Sequence, residues 1–101
     1  MADIVITEFM DEAAVGRLVH AYDTVYDPKL VDDPAALREQ LTSARALIVR
    51  NRTQVRETLL SMGPKLRVVG RLGVGLDNID VAACKARSVR VIPATGANDL
   101  S

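Results

Sequence analysis

The chain has 101 residues, of which 49% are hydrophobic, a size and composition that suit one domain with a sizeable core. Its 13 basic and 13 acidic side chains balance and are spread along the sequence, so neither nucleic acid nor a membrane is an expected partner. No apolar run approaches the roughly 20 residues needed to cross a bilayer, and the first residues lack a signal-peptide pattern. With a single cysteine as well, the sequence predicts a cytoplasmic protein that binds a small molecule or another protein chain.

The first half of the chain predicts two strands and two helices. Residues 4–7 and 24–26 are short β-branched or aromatic runs typical of strands. Asp11 can cap a helix after the first strand, and Asp33 followed by Pro34 can start another. The apolar positions expected to face the core are Ala14, Val15, Leu18 and Val19 in the first helix and Leu37 and Leu41 in the second.

The second half predicts three more strands, at residues 46–49, 66–69 and 89–92. Residues 53–62 have helical period, and the positions expected to face inward are Val55, Leu59 and Met62. Asn78 or Asp80 can cap a further helix from about residue 81 to residue 87. Pro93 is expected to end the fifth strand.

Strands that alternate with helices indicate an α/β fold, a parallel sheet with helices on both faces. Right-handed crossovers order the five strands most simply as 2-1-3-4-5, which is a flavodoxin-like sheet. In such sheets, ligands bind in the crevice at the carboxyl ends of the strands. Function is therefore expected at residues 7–9, 50–53, 70–76 and 93–98.

A glycine-rich turn follows the fourth strand and precedes a helix, with three glycines at positions 70, 73 and 75. Consecutive N–H groups beside a helix amino terminus favour a carboxylate or another small anion. The spacing G-x-x-G-x-G differs from the dinucleotide fingerprint G-x-G-x-x-G, and no P-loop lysine follows. The turn therefore predicts a small-anion site and not a pyrophosphate site, although the same glycines can simply permit a tight turn.

Three segments resemble the D-isomer-specific 2-hydroxyacid dehydrogenases, the family that includes phosphoglycerate, glycerate and formate dehydrogenases. They read VVGRLGVGLDNID at residues 68–80, IVRNRTQV at 48–55 and IPATGANDLS at 92–101. The resemblance implies that residues 1–101 are the substrate-binding domain of an NAD-dependent oxidoreductase that interconverts a 2-hydroxy acid and its 2-oxo acid. It further implies that the chain stops at the junction with a separate NAD-binding Rossmann domain, and that the parent enzyme is a homodimer.

The resemblance also implies which residues contact the substrate. Main-chain N–H groups of Val74 and Gly75 would hold the substrate carboxylate, with Val74 also close to the nicotinamide of the cofactor. Gly73 is the third residue of the turn that we expect to bind the substrate. Asn98 matches a position at the domain junction, where its amide can orient the substrate or merely cap the next helix.

The loop after the third strand departs from the family pattern. The family often has Arg-Ser-Ala-Thr where this chain has Arg50, Asn51, Arg52 and Thr53. Arginine suits bidentate binding of a carboxylate, phosphate or sulfonate. The extra guanidinium of Arg52 therefore predicts a substrate with a second anionic group, with a surface arginine as the alternative.

The family's catalytic elements are a nucleotide-binding domain, an arginine that holds the substrate, and a histidine paired with a glutamate. None of them lies in these 101 residues, so we expect no catalytic residue here, no activity of the chain alone, and NAD bound mainly by the other domain. No spacing suggests a metal site. Because a carboxyl-terminal segment completes this domain in the family, we also expect an exposed apolar face.

The remaining reactive residue types have plain structural explanations. Cys84 is expected as a buried free thiol, and His20 as a surface residue. Glu8, Asp11 and Glu12 are expected in a solvated loop and helix start. Two other functions stay open on the residues alone: a stand-alone module that binds small carboxylates, and a flavodoxin-like interaction domain without a ligand.

Overall fold

The computed structural model describes residues 2–73 and 75–94, with only the backbone of Ala94. Five parallel strands form one sheet in the order 2-1-3-4-5, which confirms the expected α/β flavodoxin-like architecture. The strands are β1 (Ile4–Ile6), β2 (Thr24–Tyr26), β3 (Ala46–Val49), β4 (Val68–Leu72) and β5 (Arg90–Ala94).

Four α-helices and one 3-10 turn, Pro28–Asp32, connect the strands. The helices are α1 (Glu12–Ala21), α2 (Pro34–Leu41), α3 (Glu57–Leu60) and α4 (Val81–Ala86). The expected caps are confirmed: Asp11, Asp33 and Asp80 each accept a bond from the main-chain N–H three residues later, at 3.2, 3.1 and 3.0 Å. Right-handed crossovers place α1 on one face of the sheet and the other three helices on the opposite face.

The helix expected over residues 53–62 is wrong in extent, because only Glu57–Leu60 is helical. Val55 is fully buried, as its spacing suggested, but in an extended backbone that bridges to Ile79. The Val55 N–H donates to the Asn78 carbonyl, and the Asp80 N–H donates to the Val55 carbonyl, both at 2.8 Å. Backbone pairing of residue 55 with residues 78–80 therefore replaces the first turn of the helix expected over residues 53–62.

Three smaller expectations also need correction. Val19 does not face the core, since it is 52% exposed, and Val15 is the buried residue of α1. β4 begins at Val68 and runs on to Leu72. Pro93 lies inside β5, opposite Arg71 of β4. A proline is tolerated there because β5 is an edge strand, which has a hydrogen-bonded neighbour on one side only.

The main core lies between the sheet and α2, α3 and α4. Leu41, Leu47, Val49 and Val69 are fully buried there, together with the free thiol of Cys84. Burial raises the pKa of Cys84, with the Asp80 charge adding to the effect, so the thiol stays protonated and packs as a small apolar side chain, as expected. His20 is exposed, also as expected.

The opposite face of the sheet is only partly covered. Ile6, Ile48, Gly70 and Ile92 are successive cross-strand neighbours there. Ile6 is fully buried, whereas Ile92 is 40% exposed. An open apolar groove of about 230 Å³ runs over β3 and β4, so the expected apolar face is present, and what covers it stays a prediction. Among the described residues, no helix has the length and apolar character to cross a membrane.

Candidate functional site at the strand ends

The carboxyl ends of β1, β3 and β4 meet at one edge of the sheet, where the fold predicts the ligand crevice. Thr7 and Glu8 follow β1, residues 50–53 form the loop after β3, and the glycine turn follows β4. The Thr7 and Thr53 hydroxyls are 2.8 Å apart in a buried hydrogen bond. The three segments are therefore held together by polar groups in addition to the sheet.

Glu8 is the main acceptor in this cluster, and its expected place in a solvated loop is wrong, since the residue is only 5% exposed. Its Oε2 accepts the main-chain N–H groups of Arg50 at 2.8 Å and Thr53 at 2.9 Å. Its Oε1 accepts the N–H of Arg52 at 3.0 Å. One carboxylate thus satisfies three N–H groups of the loop after β3.

These bonds also decide the protonation state of Glu8. Burial alone would raise the pKa of the carboxyl, but the N–H groups of Thr53, Arg50 and Arg52 and the Thr53 side chain together hold the pKa below its ordinary value. Glu8 is therefore a carboxylate at neutral pH, and the loop depends on its charged form.

Asn78 holds the carbonyl side of the same loop. Its Nδ2 donates to the carbonyls of Arg50 and Thr53, both at 2.8 Å, and its Oδ1 accepts the Nε of Arg71 at 3.3 Å. Arg71 also donates from Nη1 to the Leu72 carbonyl at 3.0 Å. The sequence predicts Asn78 only as a possible helix cap, and Asp80 takes that role in the structure. The bridge that Asn78 forms between the loop and the glycine turn is therefore not predicted from the sequence.

A shallow cleft of about 270 Å³ opens between the loop and the turn, and it is lined by Arg50, Asn51, Arg71, Leu72 and Gly73. Arg50 is exposed, and its guanidinium makes a long 3.4 Å contact with the Phe9 carbonyl. Arg71 is 8% exposed, and among the described residues no carboxylate pairs with it. The structure thus brings Arg50, Asn51 and Gly73 together and adds Arg71 to the set.

Arg52 lies differently from the other predicted site residues. Its Nη2 pairs with Asp32 Oδ1 at 2.9 Å, and the two side chains are 59% and 69% exposed. Arg52 lines a separate hollow beside the 3-10 turn and α2. Val74 and Asn98 lie outside the described residues, so the roles expected for them stay predictions.

Gly73 and Gly75 need to be glycine for backbone reasons. Their φ angles are 101° and 88°, in the left-handed region that side chains disfavour. A Cβ on Gly73 would also lie 2.9 Å from Arg71 Nη1, whereas a Cβ on Gly75 would have no heavy atom within 4 Å. The turn therefore lets the Arg71 guanidinium lie close to the main chain and leaves Gly75 open to an approaching ligand. Nowhere in residues 2–73 and 75–94 do three His, Cys, Asp or Glu side chains come together as a metal site would need.

Comparisons of the sequence with known proteins point to one family. The family model described as D-isomer specific 2-hydroxyacid dehydrogenase, catalytic domain, matches residues 4–101. The (S)-sulfolactate dehydrogenase of Chromohalobacter salexigens is 55% identical over 101 residues, which is all of this chain and 33% of that protein. The D-3-phosphoglycerate dehydrogenase of Mycobacterium leprae is 38% identical over 98 residues, 95% of this chain and 18% of that protein.

The fold of the chain is also similar to that of a solved structure. Phosphoglycerate oxidoreductase from Vibrio cholerae O395 superposes with a TM-score of 0.77 at 26% identity, over 96% of this chain and 32% of that one. The chain belongs to the D-isomer specific 2-hydroxyacid dehydrogenase family and corresponds to its catalytic domain. It spans about a third of the length of the sulfolactate dehydrogenase that it matches.

The state of Glu8 makes stability depend on pH. A carboxyl whose pKa is lowered by folding contributes stability above its unfolded pKa and loses it as the pH falls through the folded pKa. We expect Glu8→Gln to reduce the free energy of unfolding by about 2 kcal/mol at pH 7, because a carboxylate that accepts three N–H bonds is replaced. The difference from the unmodified chain should shrink below about pH 4. Urea unfolding of both proteins at pH 7 and at a pH well below 4 tests this. An equal difference in the free energy of unfolding at the two pH values would contradict it.

The glycine turn gives a second prediction. Gly75→Ala should destabilise the chain by about 1 kcal/mol through the left-handed backbone alone, and Gly73→Ala by about 2 kcal/mol or more because Arg71 must also move. Gly16→Ala is the control: Gly16 lies in α1 with open space around it, so alanine should stabilise by about 0.5 kcal/mol. Chemical unfolding monitored by circular dichroism measures all three. Equal losses at positions 73 and 75 would argue against the Arg71 contact.

Proposed function

We propose that this chain is one wall of the substrate cleft in an NAD-dependent 2-hydroxyacid dehydrogenase whose substrate carries a second anionic group, such as a sulfonate or phosphate. The observation that carries the proposal is the joined pair of segments at the ends of β3 and β4, with Arg50, Asn51, Arg71 and Gly73 around one cleft. The 55% identity to a sulfolactate dehydrogenase over the full chain supports the reaction class.

The chemistry of the cleft suits a small acid with two anionic groups. A carboxylate can accept main-chain N–H groups of the glycine turn, which we assign to Gly73, Val74 and Gly75. The guanidinium of Arg50 is exposed beside the turn and can bind the second anion in a bidentate way. The names of the two relatives, sulfolactate and phosphoglycerate dehydrogenase, contain one sulfonated and one phosphorylated acid.

The other wall of the cleft belongs to the rest of the parent enzyme in this proposal. A second domain would hold most of the NAD cofactor, which would supply the hydride-transfer chemistry, with Val74 close to the nicotinamide and Asn98 at the junction. This chain binds and orients the acid, and it supplies no acid–base group. A homodimeric parent and a cytoplasmic location are further parts of the proposal.

The direct test is turnover by the parent enzyme. With NAD, we expect oxidation of 3-sulfolactate or 3-phosphoglycerate with kcat/KM on the order of tenfold or more above that for lactate, because one charge-assisted contact is worth more than about 1.4 kcal/mol. The 101-residue chain alone should give no turnover. NADH formation measures the rate. Carboxylate binding without any turnover by the parent would favour the stand-alone binding module instead.

Arg52, which lines the separate hollow beside the 3-10 turn and α2, is proposed as an additional contact of the second anionic group beside Arg50. An exposed ion pair contributes at most about 1 kcal/mol, so the guanidinium can leave Asp32 for a substrate anion. Arg52→Gln should raise KM for the sulfonated or phosphorylated acid up to about fivefold, and Asp32→Asn, which removes the competing carboxylate, should lower it. KM for lactate should hardly change in either variant.

The control for this test is Arg38→Gln, which removes an exposed arginine from α2. It should leave KM for every substrate unchanged. If Arg52→Gln behaves like Arg38→Gln, Arg52 is a surface residue and the second anion is bound elsewhere.

A further inference from the structure

Glu8 presents an apparent conflict with the proposed function. A carboxylate at the edge of a cleft for anions should repel the substrate and should compete with it for nearby guanidinium groups. In the structure both oxygens of Glu8 instead accept main-chain N–H groups, two at Oε2 and one at Oε1. Both oxygens of the carboxylate therefore bind the backbone of the loop, and the Glu8 residue is only 5% exposed.

The guanidinium groups of the same loop form no ion pair with this carboxylate. Within residues 2–73 and 75–94, the hydrogen-bond partner of the Arg50 guanidinium is a neutral carbonyl, that of Phe9, at 3.4 Å. The Arg52 guanidinium pairs with Asp32 at 2.9 Å and not with Glu8. The negative charge thus holds the main chain of both arginines while their positive groups stay outside.

We propose that Glu8 is a positioning residue of the substrate cleft: it fixes the main chain of residues 50–53 so that the Arg50 guanidinium stays free to bind an anionic substrate. This inference rests on the proposed function. It assigns to Glu8 no contact with the substrate and no proton transfer.

Asn78 makes the positioning effective at the glycine turn as well. The Glu8 carboxylate accepts N–H groups of the loop, and the Asn78 Nδ2 donates to the carbonyls of Arg50 and Thr53. Asn78 is also bonded to Arg71, which lies against Gly73. A loop held from both sides moves little, so the distance between the arginine loop and the turn is set before substrate arrives, which lowers the entropy cost of binding.

The experiment compares variants of Glu8 in the parent enzyme, because two explanations predict opposite signs. If Glu8 positions the loop, Glu8→Gln raises KM for the sulfonated or phosphorylated acid by about tenfold, since the amide cannot accept at both ends, while kcat changes less than about twofold. If Glu8 acts only as a repelling charge, the same variant lowers KM.

A second variant guards against loss of folding. Glu8→Asp keeps the charge but is one methylene shorter and cannot reach all three N–H groups, so positioning predicts a KM between those of the unmodified enzyme and Glu8→Gln. A pure charge effect predicts no change for Glu8→Asp. The matched control is Glu57→Gln: this exposed carboxylate pairs with Arg87 and does not line the cleft, so the variant should leave KM unchanged.

Amide hydrogen exchange in the same variants reports the loop directly. Glu8→Gln should speed exchange at the N–H groups of Arg50, Arg52 and Thr53 by about tenfold, with Glu57→Gln unchanged there. Turnover with an unchanged or lowered KM in Glu8→Gln would overturn this inference alone. An unmodified parent that oxidises no 2-hydroxy acid would overturn the proposed function and this inference with it.

Discussion

The requirement that buried main-chain N–H groups find acceptors governs the strand ends of this domain. The loop after β3 turns away from the sheet beside the end of β1, and its N–H groups at positions 50, 52 and 53 have no strand partner. Leaving a buried group of this kind without an acceptor costs about 1–3 kcal/mol. The bond from the Thr53 N–H is buried, and those from the Arg50 and Arg52 N–H groups are part-buried. Glu8 supplies the acceptors, and its own burial is tolerated because those N–H groups solvate the charge.

The sheet could be predicted from the sequence because its signals are local. Short runs that contain β-branched residues mark each strand, aspartates cap α1, α2 and α4, and right-handed crossovers leave one simple order. The segment 53–62 shows the limit of periodicity. Val55 and Leu59 are both buried, as a helix would require, but Val55 is buried by pairing with Ile79, a contact that spacing along the chain cannot reveal.

The candidate site was predictable in place and less so in its supporting residues. The crevice rule located residues 7–9, 50–53 and 70–76, and the structure brings these segments together. Glu8 and Asn78 were missed as supports because they bind main-chain atoms between 25 and 45 residues away, and main-chain donors and acceptors leave no mark on the sequence. One signal was available: Glu8 directly follows the expected strand at residues 4–7 and lies inside the expected crevice, where main-chain N–H groups of a neighbouring loop can bind a carboxylate.

The site contains two buried charges of opposite sign, those of Arg71 and Glu8, which do not pair with each other. Arg71 is bonded to the amide of Asn78 and the carbonyl of Leu72, and Glu8 to three N–H groups, so each charge is stabilised by neutral dipoles. Their opposite signs leave the interior of the cluster with little net charge. The guanidinium groups of Arg50 and Arg52 then lie outside this neutral support, on the exposed side of the loop. The positive charge on the exposed side of the loop therefore belongs to flexible side chains, whose backbone is held by hydrogen bonds to Glu8 and Asn78.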